Sequence, residues 1–470
     1  MAVHPRLQRL LWMGLLLAAG AVIAVQGARL LVIIQAGAAT TSDFCQDYQT
    51  AGHWLHGAHI YAPVNCWSRY SSTAQPLEYD THPPPSLLLF APFVPLSYST
   101  AAWLWGLLNL ACLMLSLVII CRELDLWRLQ TLLPILALFL LWEPTLDSTR
   151  SGNVGAGLSC LLIALAWRAL RRGQQGHAGM LSGLALLLKP LPFLLLPYFL
   201  LRRQWRAAVS MAASLALGVV LSLALMGVQT WADYLGPVRL NESPDVPVPG
   251  NLSLAGLVTR WGAGYHEFLH PGASRAFIDL PPLLPHISLD AALLLGDLLA
   301  GAVALTLGFR LWRRVAGDNT ANAPAGGWNT SDDASFAFVL VLSFLVFPLS
   351  WQWNLVVLAM PLLWLAVKVW RSGNYKARWR YGAALLLLAL PFGWSIPAFQ
   401  VEAQTALPWP VRLVGAILTA LPSVALGLLL SALWPWLLRT DLSPTGESAI
   451  GPAIGARRHP KSKAAPSSPN

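Results

Sequence analysis

The chain has 470 residues, of which 56% are hydrophobic and only 11% charged, with a formal net charge of +10. A soluble domain carries roughly 25% charged residues, so the composition excludes an ordinary soluble protein. The positive charge does not form one patch either. It falls in short clusters beside apolar runs, which speaks against a nucleic-acid partner and matches the Lys/Arg excess of cytoplasmic loops in membrane proteins.

Apolar runs of about 20 residues recur along most of the chain, and long Leu/Ala/Val stretches satisfy their backbone in lipid as helices. The expected fold is therefore an all-α, polytopic membrane bundle. Residues 10–35 form the first crossing. Ala36-Gly37-Ala38 resembles a signal-peptide cleavage site, but the apolar run exceeds the 7–15 residues of such a region. Arg6 and Arg9 place the N-terminus in the cytoplasm, so residues 37–85 become a first outside loop. Pro92 and Pro95 break the next stretch into a segment over 86–96 at the outer face and a spanning helix over 98–121. Residues 129–146 go out, and 153–169 return to Arg168, Arg171 and Arg172.

Residues 178–201 lie between that cluster and Arg202, Arg203 and Arg206, so both ends are cytoplasmic. One helix cannot satisfy this, and Lys189-Pro190-Leu191-Pro192 divides the stretch into two half-helices. The stretch 335–370 repeats the pattern between Arg313-Arg314 and Lys368-Arg371, with its break at Pro348-Leu349-Ser350-Trp351-Gln352-Trp353-Asn354. Irregular backbone at membrane depth is tolerated where it lines a cavity or is buried in protein, so both breaks point at a site. Residues 207–228 go out, 229–288 form a second outside loop, and 289–312 return. A last hairpin over 381–399 and 409–437 makes about twelve membrane segments. Residues 1–440 are expected to form one domain, with 441–470 a disordered cytoplasmic tail.

The informative polar residues gather on the outside. Asp43 and Asp47, four apart, share one face of a short helix. Asp43 reads either as a general base or as a helix cap or solvated acid. Lys189, in an apolar hairpin, needs an anionic partner such as a lipid phosphate or must snorkel to an interface. His82 either orients a phosphate or caps its loop. Arg150 is a phosphate contact or an ordinary interfacial arginine, and Asn251 a ligand contact or turn chemistry. Trp54, Trp67, Trp231 and Trp261 read mainly as an aromatic belt. Cys45 and Cys66 share the first loop, where an oxidising compartment permits a disulfide. No spacing resembles a zinc site. A divalent cation at Asp43 and Asp47 is the one metal arrangement left open.

Ordered short motifs run through this frame: Asp43-Phe44, Tyr48, Ala51, Leu55, Gly57 and Ile60-Tyr61, then His82-Pro83-Pro84-Pro85, then Ala102, Leu104-Trp105 and Leu108-Asn109-Leu110. Gly152-Asn153, Leu188-Lys189-Pro190, Pro249-Gly250-Asn251-Leu252-Ser253-Leu254 and Ser350-Trp351 complete the set. Together they resemble glycosyltransferase family 87, GT-C-type membrane enzymes that use polyprenyl-phosphate sugars. The resemblance implies an inverting transfer of mannose, another hexose or a pentose to a lipid or glycan acceptor, outside the plasma membrane. It makes Asp43 the base and Asp47, Tyr48, His82, Arg150, Asn153, Lys189, Asn251, Trp351 and Asn354 candidate substrate contacts. Two departures stand out. Asn153 follows Gly152 where the family often has glutamine, and Trp353 and Asn354 follow the Ser-Trp break where it often has histidine. A transporter or lipid-linked sugar flippase is the rival class, but Asp297 is the main intramembrane acid and the motifs gather on one face.

Overall fold

A computed structural model describes residues 5–37, 42–64, 66, 80–268, 276–280, 282–283, 287–318, 328–389, 401–402 and 408–438. The polar tail, Trp67 and residues 390–399 of the last hairpin lie outside the described residues.

The helices follow in order as α1 (Pro5–Gly37), α2 (Ser42–Leu55), α3 (Pro84–Phe90), α4 (Tyr98–Glu123), α5 (Leu129–Leu141) and α6 (Glu143–Ser151). Next come α7 (Gly157–Arg171), α8 (Gln175–Leu188), α9 (Leu195–Leu201), α10 (Trp205–Met226), α11 (Val228–Asp245) and α12 (Leu254–Ala263). The set ends with α13 (Leu289–Asp318), α14 (Thr330–Val346), α15 (Ala359–Ser372), α16 (Tyr375–Ala389), α17 (Trp409–Leu418) and α18 (Leu421–Leu433). The second loop adds two short strands, β1 (Tyr265–Phe268) and β2 (Ala276–Leu280), and the turn of the last hairpin adds a third, β3 (Val401–Glu402), all antiparallel and paired in that order. Strands of two to five residues are too short for alternation to announce them in the sequence.

Among the described residues six helices are long and apolar enough to cross a membrane, or seven if α5 and α6, bent by 57° at Trp142, form one broken span. The expected count of about twelve is not reached. Helices α7, α8 and α14 have 15, 14 and 17 residues, short of the roughly 20 that a straight crossing needs. Of the three, α14 is enclosed, whereas α8 leaves Met180 and Leu184 exposed. Every residue of α14 from Asp332 to Val346 is buried. By contrast, only 17% of the apolar windows of α1, α10 and α13 is buried, so these three present their side chains to lipid.

Both breaks occur where prolines interrupt the apolar runs. Helix α8 stops at Leu188, Lys189 is extended (φ −153°, ψ 127°), and α9 resumes at Leu195. Gly179 and Gly183, one turn apart on α8, let the backbone of α10 approach so closely that a Cβ at either would collide with Ala207 or Met211. The second break runs from Phe347 to Trp351 and continues as a 3₁₀ turn over Gln352–Leu358.

A carboxylate ties the basic ends of the central helices together. Asp333 accepts hydrogen bonds from three indole N–H groups, those of Trp167 (2.7 Å), Trp328 (2.6 Å) and Trp364 (3.1 Å). Its neighbour Asp332 pairs with Arg202, while Tyr198 meets Ser335 at 3.0 Å. Asn329 and Asp332 close a reciprocal cap at the start of α14. Asp333→Ala strands two fully buried indoles, Trp167 and Trp364, at about 1–3 kcal/mol for each unpaired donor. The variant is expected to unfold several degrees below wild type in detergent. Unchanged thermal unfolding would reduce the three contacts to bystanders.

Candidate active site

Helix α2 carries the first loop's acids because its apolar face has somewhere to go. Phe44 and Ala51 are fully buried beside Phe90 and Trp105, and the Phe44 and Trp105 rings stack at 6.0 Å. The Tyr48 hydroxyl donates to the Leu96 carbonyl at 2.8 Å, tying α2 to the turn before α4. Cys45 and Cys66 are disulfide-bonded, with α-carbons 5.7 Å apart, and fasten the far end of the loop to the same helix.

Helix α4 fixes the next piece. Trp105 donates its indole N–H to the Gly152 carbonyl at 2.6 Å. Asn109 donates to the Ser148 carbonyl at 3.0 Å and accepts from the Gly157 N–H at 2.9 Å. The turn between α6 and α7 is thereby held, and Asn153 projects from it. The Asn153 carbonyl oxygen accepts from the Gly155 N–H at 2.7 Å, which aims its amide N–H₂ at Asp43 Oδ2, 2.8 Å away. A Cβ on Gly155 would collide with the Lys189 stem and the Asn153 side chain. Only glycine leaves room for the lysine there.

The two breaks also meet. Leu191 and Pro192 of the first line one small cavity with Phe344 and Val357, which flank the second, together with Gly155 and Ser159. The charges of Asp43 and Asp47 act on the buried Lys189 ammonium.

One turn along α2, Asp47 is fully buried and faces His82. His82 Nδ1 lies 2.9 Å from Asp47 and 3.3 Å from Asp80, and the His82 backbone N–H donates to Asp80 at 2.8 Å. Burial pushes the Asp47 carboxyl up to about 7. Burial also disfavours a charged imidazole at His82, but the Asp47 and Asp80 carboxylates outweigh it and raise its pKa to about 10. Asp80 was not singled out from the sequence. The available signal was its place two residues before a histidine that opens a proline run.

Asp43, Asp47, His82, Asn153 and Lys189 thus converge. Other expected contacts have different employment. Asn251 donates to the Val246 and Pro348 carbonyls and accepts from the Ser253 and Ser350 N–H groups, so every donor and acceptor of its side chain is spent on backbone. The residue staples the second loop to the second break, as the turn-chemistry reading of it expects. Trp351 pairs with Asn251 in an isolated bridge and stacks on Trp353 at 5.0 Å. Arg150 clamps Glu143 and Asp147, each at 2.9 Å, and Asp147 also holds Gln352 beside the break. Tyr48 is engaged with backbone. Asn354 is fully buried, and neither atom of its amide has a hydrogen-bond partner among the described residues.

Glycosyltransferase family 87 matches residues 81–348, more than half of the chain. The chain belongs to this family. A polyprenol-phosphate-mannose-dependent alpha-(1-2)-phosphatidylinositol mannoside mannosyltransferase of Mycobacterium tuberculosis is 28% identical over 216 residues, 41% of this chain and 49% of that protein. Its counterpart in Mycolicibacterium smegmatis is 27% identical over 241 residues, 46% of this chain and 52% of that protein. An alpha-(1->3)-arabinofuranosyltransferase of Mycobacterium tuberculosis is 29% identical over 200 residues, 42% and 43% of the two chains. The chain spans about half the length of these curated relatives. No solved structure matches it.

The disulfide and the burial of Cys112, Cys121 and Cys160 set a simple expectation for the thiol count. Denatured without reductant, the protein should titrate as three thiols, and after reduction as its full five cysteines. Five thiols before reduction would break the link between the loop and α2.

Proposed function

We propose that this chain is a glycosyltransferase that moves a sugar from a polyprenyl-phosphate carrier to a hydroxyl of a lipid or glycan acceptor. Mannose is the first choice of sugar, since the named donor of two relatives is polyprenol-phosphate mannose. A pentose is the second, because another relative is an arabinofuranosyltransferase. The reaction takes place at the outer face of the plasma membrane, within one catalytic domain spanning residues 1–440. The basic clusters beside the apolar runs support this orientation.

The observation that carries the reading is the Asp43–Asn153 pair beside the buried Lys189. Asp43 takes the proton of the acceptor hydroxyl. The freed oxygen attacks the anomeric carbon as its bond to the phosphate oxygen breaks, and the electron pair leaves with the polyprenyl phosphate. Attack opposite to the leaving group inverts the anomeric centre. The amide of Asn153 donates to one carboxylate oxygen of Asp43 and fixes its orientation. Lys189 supplies a compact positive charge to the donor phosphate, which answers the cost of an ammonium in an apolar setting.

Asp43→Asn is expected to cut transfer in purified enzyme by at least about 100-fold while leaving expression intact, because an amide accepts no proton at neutral pH. Asn153→Ala, by contrast, should lower kcat by about 10-fold with donor binding unchanged, the effect of losing one hydrogen bond to a charged group. A loss in donor affinity alone would make Asn153 a ligand contact rather than a positioning residue.

Lys189→Ala should weaken binding of a polyprenyl-phosphate sugar by about 30-fold or more, as loss of a desolvated charge contact costs on the order of 2–4 kcal/mol. Acceptor affinity should change little. Titration of the folded variant with donor decides the matter: wild-type affinity would leave Lys189 without a role at the phosphate.

A further inference from the structure

Asp47, Asp80 and His82 bring one ligand atom each to within 4.8 Å of one another, and all three are buried. Acids alone would not make this a site. The geometry of their contacts does. His82 Nδ1 approaches Asp47 Oδ1 to 2.9 Å, a hydrogen-bonding distance. Yet Nδ1, both oxygens of Asp47 and Oδ2 of Asp80 are all buried and meet no hydrogen-bond partner in suitable alignment among the described residues. Asp47 and Asp80 are each fully enclosed. A buried carboxylate whose oxygens find no donor is expensive unless something positive satisfies it.

Groups that sit close without pointing at each other can point at a common third partner. Ligands about 2.1 Å from an octahedral ion lie about 3 Å apart along each edge, and the separations here are 2.9 and 3.3 Å. We infer that Asp47, Asp80 and His82 form a divalent-cation site beside Asp43 on helix α2. This differs from the Asp43–Asp47 arrangement that the sequence leaves open, because Asp43 is engaged by Asn153. Two carboxylates and an imidazole suit Mn²⁺ or Zn²⁺, and a site with three protein ligands leaves positions for oxygen ligands from water or a phosphate. Backbone contacts hold the ligands in place. The His82 N–H donates to Asp80, and the Tyr61 hydroxyl donates to the His82 carbonyl at 2.7 Å. Any contact between the ion and a donor phosphate rests on the function proposed above, whereas binding of the ion itself does not.

The test uses the full-length protein in detergent, stripped with chelator and titrated with Mn²⁺ alone, with free ion followed by its electron paramagnetic resonance signal. One tight equivalent is expected in wild type and in Asp43→Asn. Asp80→Asn and His82→Gln should each lose about 100-fold or more in affinity, since even changes in the supporting shell of a metal site cost 10–100-fold. Thermal unfolding in detergent, followed for each variant beside wild type, reports whether it stays folded. Absence of a tight equivalent in wild type, or wild-type affinity in a folded Asp80→Asn, overturns the site and leaves the triad an imidazolium held between two carboxylates. Because no sugar donor is present, either result stands apart from the glycosyltransfer reading.

Discussion

The side chain of Lys189 lies across the backbone of Gly155, and the rest of the site is arranged by that contact. A lysine at the broken end of a short helix has no water to turn to, so it runs along protein. The surface it finds is the turn between α6 and α7, open only because residue 155 lacks a Cβ. The same turn carries Asn153, whose amide is fixed by the Gly155 N–H and holds Asp43. Moving the turn would therefore move the base and the ammonium together. Its own position is set by Trp105 and Asn109 of α4, so a spanning helix with little chemistry determines where the chemistry sits.

Much of this was legible in the chain. Prolines after Lys189 and at Pro348 cannot continue a helix, and basic residues at both ends of each stretch forbid a single crossing. The breaks follow from those two facts, and the structure has helix ends at Leu188 and Val346. The number of spans did not follow. Hydropathy cannot distinguish a lipid-facing run from one buried against other helices, and α14 is as apolar as a span while enclosed along its length. Asp80 escaped notice because its partner Asp47 lies more than thirty residues away, and only packing brings α2 against the start of α3.

Three asparagines mark the division between structure and chemistry that residue type alone cannot make. Asn251 spends its whole side chain on backbone and closes the second break, a task that the fully buried Arg260 shares through the Val248, Asn251 and Thr419 carbonyls. Asn153 spends one side on backbone and the other on a carboxylate. Asn354 is enclosed beside the second break with its amide unpaired among the described residues. A buried amide in that state costs free energy until a polar group meets it. Where the family resemblance implies a histidine, this asparagine offers hydrogen-bonding capacity without a charge.

That loss bears on how the site meets an anionic ligand. Asp43 and Asp47 act on Lys189, and Asp47 and Asp80 flank His82, which adds a second positive charge only while protonated. Even then the carboxylates outnumber the cations, and a phosphodiester adds another negative charge to a partly desolvated setting. Like charges brought together where water is excluded repel more strongly than at a surface. A divalent ion at Asp47, Asp80 and His82, as inferred above, would offset the imbalance beside the proposed base Asp43 and the proposed phosphate contact Lys189. The same ion lets His82 be neutral, as a metal ligand must be. In the proposed reaction the second acid of helix α2 is the counterpart of the first: Asp43 is the proposed base, and Asp47 would help to hold the charge that makes an approaching phosphate tolerable.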